Sequence, residues 1–379
     1  MATDPISVGV LFSQTGVTAV VEETQRRAVL IAADEINAAG GIAGREVRAI
    51  TTDPGSDPRR FRDAATAMLD DGVQIIFGCY MSSERRAVLP LIEQREALLF
   101  YPTLYEGFEF SPSCIYSGAA PNQNSLSLAR YLTDQVDDRF FFVGSNYVFP
   151  YESNRIMRDL LQNRGAKIVD ERYLPLHPSA QEVDEVVAAI AKQAPVTVFS
   201  TIVGDGATGF YRAYERAGFD RAAMPIASLT TGEPELRAMG AAAAEQHITA
   251  APYFSTVSRR ESQAFVNRYR VKFGPDAPIS ACTEAAYFQV HLFAEAARRT
   301  EGARPREILG ALPTFTFDAP QGPVRVDRRT NHTYLWPRLA RVGPDAAFRI
   351  IEEARAPVRP DPYMIEPEQV DWAGASVAE

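Results

Sequence analysis

The strongest constraint on this chain is a repeated alternation of short apolar runs and helix-like segments. "ISVGVLF" (6–12) is a compact apolar run, and "EETQRRAVLIAADEINAAGG" (22–41) carries a helical apolar face ending on Gly-Gly. "REVRAITTD" alternates like a strand, and "DPRRFRDAATAMLDDG" opens on an Asp-Pro cap and ends in glycine, as a helix does. "VQIIFG", "SSERRAVLPLIEQRE" and "ALLFYP" continue the series as strand, helix and strand. Strand–helix alternation of this kind specifies a parallel sheet covered by helices on both faces. After "GAAPNQNS" (118–125) the pattern restarts, with strands at "RFFFVG", "AKIVDERYLP", "VTVFST" and "MPIASLT", each set off by a helix.

The expected fold is therefore α/β, with two doubly wound, Rossmann-like lobes. The chain crosses between them near 118–124, 251–256 and 319–332, and multiple crossings make a hinge. The expected division is 1–120 plus 253–325 for one lobe and 121–252 plus 326–379 for the other. The proline-rich tail "ARAPVRPDPYMIEPEQ" is expected to pack in extended form. A ligand is expected between the lobes, at the C-terminal ends of their strands.

Composition removes several function classes. The 379 residues are 46% hydrophobic and 23% charged, an ordinary globular mixture. A formal charge of −9 argues against binding to duplex nucleic acid, which needs a basic face. No apolar run is long enough to span a bilayer. No basic n-region or apolar h-region precedes Ile6, so the expectation is a cytoplasmic protein, or a periplasmic one whose signal has been removed. Cys79, Cys114 and Cys282 match no zinc or CxxC spacing and are expected as packed thiols.

Enzyme motifs fail on inspection. "GDGATG" (204–209) is a literal GxGxxG, but it lies mid-chain and the following strand does not end in an acidic residue for a ribose. There is no GxSxG elbow, no HExxH and no P-loop. No cofactor is called for. What recurs is small hydroxyls and tyrosines at strand ends: Tyr80, Ser82 and Ser83; Tyr101, Thr103 and Tyr105; Ser145 and Tyr147; Thr201, Val203 and Gly204; Thr230, Thr231 and Glu233. Each alone can cap or pack. Together they mark one rim, where a helix N-terminus offers N–H donors to a carbonyl or carboxylate and tyrosines supply flat walls. Such a pocket suits a compact, largely neutral ligand.

"VGVLFSQTGVTA", "ADEINAAGGIAGREV", "GAAPNQNS" and "APQGPVRVDRRTNH" resemble the type I periplasmic-binding-protein superfamily in its amino acid, amide and urea branch. "GCYMSSERRAVLP", "YPTLYEGFEFSP", "GSNYVFPYESN" and "SLTTGEPE" are similar to the AmiC-type aliphatic-amide sensors. The resemblance implies a non-catalytic sensor that binds a small amide such as acetamide and negatively regulates an AmiR-like RNA-binding antiterminator of an amidase operon. The alternative is the solute-binding component of an ABC transporter, partnered by a permease, for urea, short amides or branched-chain amino acids. It implies that Ser82 holds the amide through its hydroxyl and N–H. Tyr80, Tyr101 and Tyr147 wall or hydrogen-bond it, Thr103 limits the acyl space, and Val203 and Gly204 close from the second lobe. Glu233 is the acidic group that an amino-acid ligand's ammonium would need, and Thr231 lies beside it. Leu104 and Phe149 stand where proline and tyrosine are expected, which leaves acyl size open.

Overall fold

The computed structural model describes residues 4–300, 302–365 and 371–374. Five strands form the first sheet, in the order β2-β1-β3-β4-β5: β1 (Ile6–Leu11), β2 (Val47–Thr52), β3 (Ile75–Gly78), β4 (Leu98–Tyr101) and β5 (Cys114–Tyr116). All its pairings are parallel. Between them lie α1 (Ala19–Ala38), α2 (Pro58–Asp70) and α3 (Ser82–Gln94). Local chemistry agrees with the boundaries. The Asp57 carboxylate accepts from the Arg59 N–H with Pro58 in the first turn, and α1 runs out into Gly40 and Gly41, both at positive φ.

The second sheet is built on β6 (Arg139–Ser145), β7 (Lys167–Leu174), β8 (Thr197–Thr201), β9 (Ile226–Ser228) and β10 (Ile248–Ala251), which pair in parallel. Helices α4 (Ser125–Gln135), α5 (Val148–Gln162), α6 (Ala180–Gln193), α7 (Asp205–Arg216), α8 (Glu233–Met239) and α9 (Ala241–Ala244) accompany it. The chain then returns to the first lobe through α10 (Arg260–Phe273), α11 (Ala281–Arg299) and α12 (Pro305–Ala311). A small antiparallel sheet follows, of β11 (Phe317–Ala319), β12 (Gly322–Val326) and β13 (Thr333–Tyr334). Finally β14 (Arg338–Val342), β15 (Phe348–Ala354) and β16 (Trp372–Gly374) extend the second sheet with antiparallel pairings. The two-lobed α/β fold expected from the alternation is the fold observed. Its mixed second sheet, β5 and the β11–β13 sheet were not separated in the sequence.

The return of α11 makes the first core. Phe293 packs edge-on against Phe77 and Phe100, at centroid distances of 5.8 and 6.2 Å. Tyr253 belongs to that core and its neighbour Phe254 to the second, which fixes the second passage between lobes. The third passage differs from the sequence expectation. Val324, Val326 and Leu335 all pack into the first core, and His332 bridges to Tyr116 on β5, so the crossing lies after Leu335 and not within 319–332. A boundary at 325 would cut β12, whose inward valines belong to the first lobe. The tail differs too. The Gln123 and Asn122 amides donate to the Val358 and Arg359 carbonyls, and the Phe108 N–H to Pro362, so 358–362 is held by the first passage and the first lobe. The tail beyond Ile365, to Gln369, lies outside the described residues.

Arg338 ties the passages together. Its buried guanidinium donates to the carbonyls of Pro252 (2.5 Å) and Gln321 (2.9 Å) and pairs with Glu353 (3.2 Å). At the first passage Gly118 lies against the backbone of Thr103: a Cβ there would sit 2.1 Å from the Thr103 carbonyl. Gly118→Ala is therefore expected to cost about 1–3 kcal/mol of stability, the usual range for forcing an extra carbon into a packed site. Urea denaturation measures it, and an unchanged midpoint would contradict the packing described.

Candidate functional site

Between the lobes lies a small cleft of about 190 Å³, counting space open to solvent. Tyr80, Ser82, Thr103 and Leu104 line it from the first lobe, and Tyr147, Phe149, Val203 and Thr230 from the second. Five of the nine site residues expected from the sequence thus meet on one surface.

The turn from β3 into α3 builds the first wall. Cys79 takes a positive φ of 69° and its N–H bonds to the Leu11 carbonyl. The Glu84 carboxyl reaches back to the N–H groups of Tyr80 (2.9 Å) and Met81 (2.8 Å). That leaves the N–H groups of Ser82 and Ser83, in the first turn, without an intrahelical acceptor.

The Ser82 hydroxyl is already engaged. It donates to Glu106 Oε2 and accepts from Arg85 Nη1 at 3.2 Å. Arg85 is fully buried. It pairs with Glu109 (2.7 Å) and Glu106 (3.3 Å), and its guanidinium lies 4.7 and 4.8 Å from the ring centres of Tyr101 and Tyr105. Thr103 Oγ1 is held in the same manner: it accepts from Gln25 Nε2 at 3.0 Å and donates to the Cys79 carbonyl at 3.3 Å. Tyr101 stands behind the wall and not in it, with its hydroxyl on the Tyr80 carbonyl at 2.8 Å.

Among the described residues no imidazole is hydrogen-bonded to Ser82. His332 is stacked on Tyr116 and bonded to Tyr105 Oη, and burial holds its pKa down at about 4. Burial pushes the Cys79 thiol well up, and that of Cys282 to about 12. All three cysteines are free and buried, as expected. Among the described residues no cluster of three or more His, Cys, Asp or Glu side chains is placed to hold a metal ion. The GxGxxG glycines fall at a helix start: Gly204 is the N-cap of α7, and Gly206 and Gly209 lie inside it.

Gly204 is the closure point. Its φ is +60°, a Cβ on it would meet the Val17 carbonyl at 2.1 Å, and the following Asp205 N–H bonds to that same carbonyl at 3.1 Å. Val203 joins Val17, Val21, Tyr80, Met81 and Cys282 in one apolar cluster across the gap. The lobes are closed on each other. Gly204→Val is expected to hold them apart, read as a larger radius of gyration by small-angle scattering; an unchanged radius would contradict this role.

Thr231 and Glu233 line a neighbouring, larger cavity of about 630 Å³ that shares Tyr80, Leu104 and Thr230 with the cleft. Thr231 Oγ1 is bound to Tyr211 Oη (3.0 Å) and Ser228 Oγ (3.1 Å). Glu233 is spent between lobes, accepting from the Ser255 hydroxyl, the Ile279 N–H (3.0 Å) and Arg270 (3.4 Å). The acidic group facing this cavity with a free acceptor is Glu235. One of its oxygens takes the Gly232 N–H at 2.9 Å and the other has no partner. Sequence reading missed it, although an acid three residues after a helix's first glycine can reach back to the N-cap N–H, half of the capping-box pattern. Arg85 and Glu106 were missed as well, because no local period marks residues that meet across a turn and a loop.

Burial raises the carboxyl pKa values of Glu22 and Glu235 to about 7 and that of Glu284 to about 8. The folded state holds these protons more tightly than the unfolded one, so their contribution is present at low pH and is lost as pH rises through 7–8. His247 and His332, lowered by burial to about 3 and 4, act oppositely but only up to about pH 6.5. The melting temperature should therefore fall between pH 6.5 and 8.5, each carboxyl contributing on the order of 1 kcal/mol. Glu284→Gln should flatten the decline; a rise over that interval would contradict these assignments.

A family model described as "Periplasmic binding protein domain" matches residues 6–369. The leucine-, isoleucine-, valine-, threonine-, and alanine-binding protein of Pseudomonas aeruginosa is 20% identical over 336 residues, 87% of each chain. Leu/Ile/Val-binding protein homolog 6 of Brucella suis is 22% identical over 286 residues, 74% of this chain and 73% of the relative. In structure, the chain is similar to a solute binding protein of an ABC transporter from Rhodopseudomonas palustris HaA2, in complex with p-hydroxybenzoic acid. There the TM-score is 0.86 at 19% identity, covering 96% of this chain and 100% of that one. The match to the whole of both lobes, with the interlobe cleft already described, identifies this chain as a member of the periplasmic binding protein domain family.

Proposed function

We propose that this chain is the solute-binding component of an ABC transporter, which closes its two lobes on one small polar solute and delivers it to a permease. The observation that carries the reading is the closed cleft, with the unclaimed N–H group of Ser82 at its wall and that of Ser83 next to it in the first turn of α3. The family and the names of the relatives favour this reading over the amide-sensing regulator with an antiterminator partner, which no comparison supports. They likewise favour the periplasm over the cytoplasm. A binding role agrees with a serine hydroxyl held by two fixed partners, Glu106 and Arg85, with no imidazole bonded to it.

The solute class follows from the walls. The cleft is short, and Leu104, Phe149 and Val203 bound it with apolar surface. Urea or an amide of two or three carbons fits such a space. A second reading, an aliphatic amino acid, draws on the free oxygen of Glu235, which could accept from an ammonium group in the adjoining cavity.

A thermal-shift panel of urea, acetamide, propionamide, alanine, leucine and 4-hydroxybenzoate tests the proposal. A solute present at 100 times its Kd should stabilise the protein by about 2.7 kcal/mol. Stabilisation by urea or a short amide is the expected result. Stabilisation by leucine alone would move the chain to the second reading, and no stabilisation by any member would contradict both.

A further inference from the structure

We propose that Glu106 is a specificity-determining residue of the cleft, which selects a solute N–H over a solute carboxylate. The inference rests on the solute-binding reading above and names the chemistry the site accepts.

A serine hydroxyl has one hydrogen and two lone pairs. At Ser82 the hydrogen goes to Glu106 Oε2, and one lone pair takes the Arg85 N–H. Glu106 is held in that role from behind, because its other oxygen accepts from both Arg85 (3.3 Å) and Arg86 (3.1 Å). What Ser82 Oγ can still offer to the cleft is a lone pair. Thr103 repeats the arrangement independently. Its hydrogen goes to the Cys79 carbonyl and one lone pair to Gln25, so it too faces the cleft as an acceptor. Both residues line the cleft and both are buried. At Ser82 and Thr103 the fixed donors of this wall are thus backbone N–H groups, and these two hydroxyls are acceptors.

An amide or urea satisfies both kinds of group. Its carbonyl takes the Ser82 and Ser83 N–H groups and its N–H groups donate to the hydroxyl oxygens. A carboxylate of the same shape has no hydrogen to give. It would set lone pairs against Ser82 Oγ and Thr103 Oγ1, with the Glu106 carboxylate directly behind the first. Exchange of Glu106 for glutamine should reverse this. Arg85 and Arg86 require an oxygen on their side, so the new amide nitrogen must face Ser82. The Ser82 hydroxyl then accepts from that nitrogen and turns its own hydrogen into the cleft.

Calorimetric titration of the whole chain with acetamide, acetate, propionamide, propionate, leucine and 4-hydroxybenzoate tests this. In the wild type each amide should bind at least roughly tenfold tighter than its carboxylate, one hydrogen bond's worth. Glu106→Gln should shrink that ratio roughly tenfold. Ser82→Ala, a smaller change that keeps the ion pairs, should weaken the amides and leave the carboxylates unaffected. An unchanged ratio in Glu106→Gln, or a Ser82→Ala variant that weakens both partners equally, would overturn the assignment. If the wild type binds leucine or 4-hydroxybenzoate and neither amide, the role of Glu106 falls while the transport reading stands. If none of these solutes binds, both fall.

Discussion

The wall of the cleft depends on one buried cation. Arg85 lies on the first turn of α3 with no exposed surface, and burying a guanidinium is costly unless it is paired and hydrogen-bonded. Glu109 meets it with two hydrogen bonds, Glu106 with one, and the rings of Tyr101 and Tyr105 cover it. Because Glu106 also takes the Ser82 hydroxyl, the ion network and the solute-facing serine are one construction. The loop 102–113 that carries both carboxylates packs on the tail, through Phe108 and Pro362, and on Pro121 at the first passage between lobes. The position of Ser82 is thereby referred to the hinge as well as to its own helix.

The second lobe contributes shape more than charge. Gly204 approaches Val17 as closely as backbone allows, and Val203, Tyr147 and Phe149 bring apolar surface over the first-lobe donors. Two charged contacts between lobes, Glu233 with Arg270 and Arg237 with Asp276, lie outside the lining of the cleft. This separation is physically sensible: peripheral ion pairs can form and break as the lobes move, while a dry cleft strengthens each hydrogen bond to an enclosed solute.

Much of this was legible in the sequence because it is periodic. Apolar runs alternating with amphipathic helices specify a parallel sheet wherever they occur, so both lobes and the cleft between them followed. Tyr80, Ser82, Thr103, Tyr147 and Val203 follow strand ends, and strand ends converge. Features made by long-range pairing were not legible. Leu335 falls in the stretch assigned to the second lobe until its side chain is seen in the first core. Glu233 has the acidity expected of an ammonium ligand, yet that acidity is used between the lobes, and Glu235 two residues on keeps the free oxygen. Tyr101 sits at the right strand end but on the far side of the wall, its hydroxyl spent on Tyr80. Ser82 was found, while the direction of its hydroxyl hydrogen depends on Glu106, 24 residues away.

The most direct test of the binding site is a crystal structure of the protein with thioacetamide, whose sulfur marks the carbonyl end by its anomalous scattering. The expected result is a sulfur peak against the Ser82 and Ser83 N–H groups, with the solute nitrogen within hydrogen-bonding distance of Ser82 Oγ or Thr103 Oγ1. A sulfur peak on the hydroxyl side, or a solute bound outside the cleft between Tyr80 and Val203, would contradict the site described.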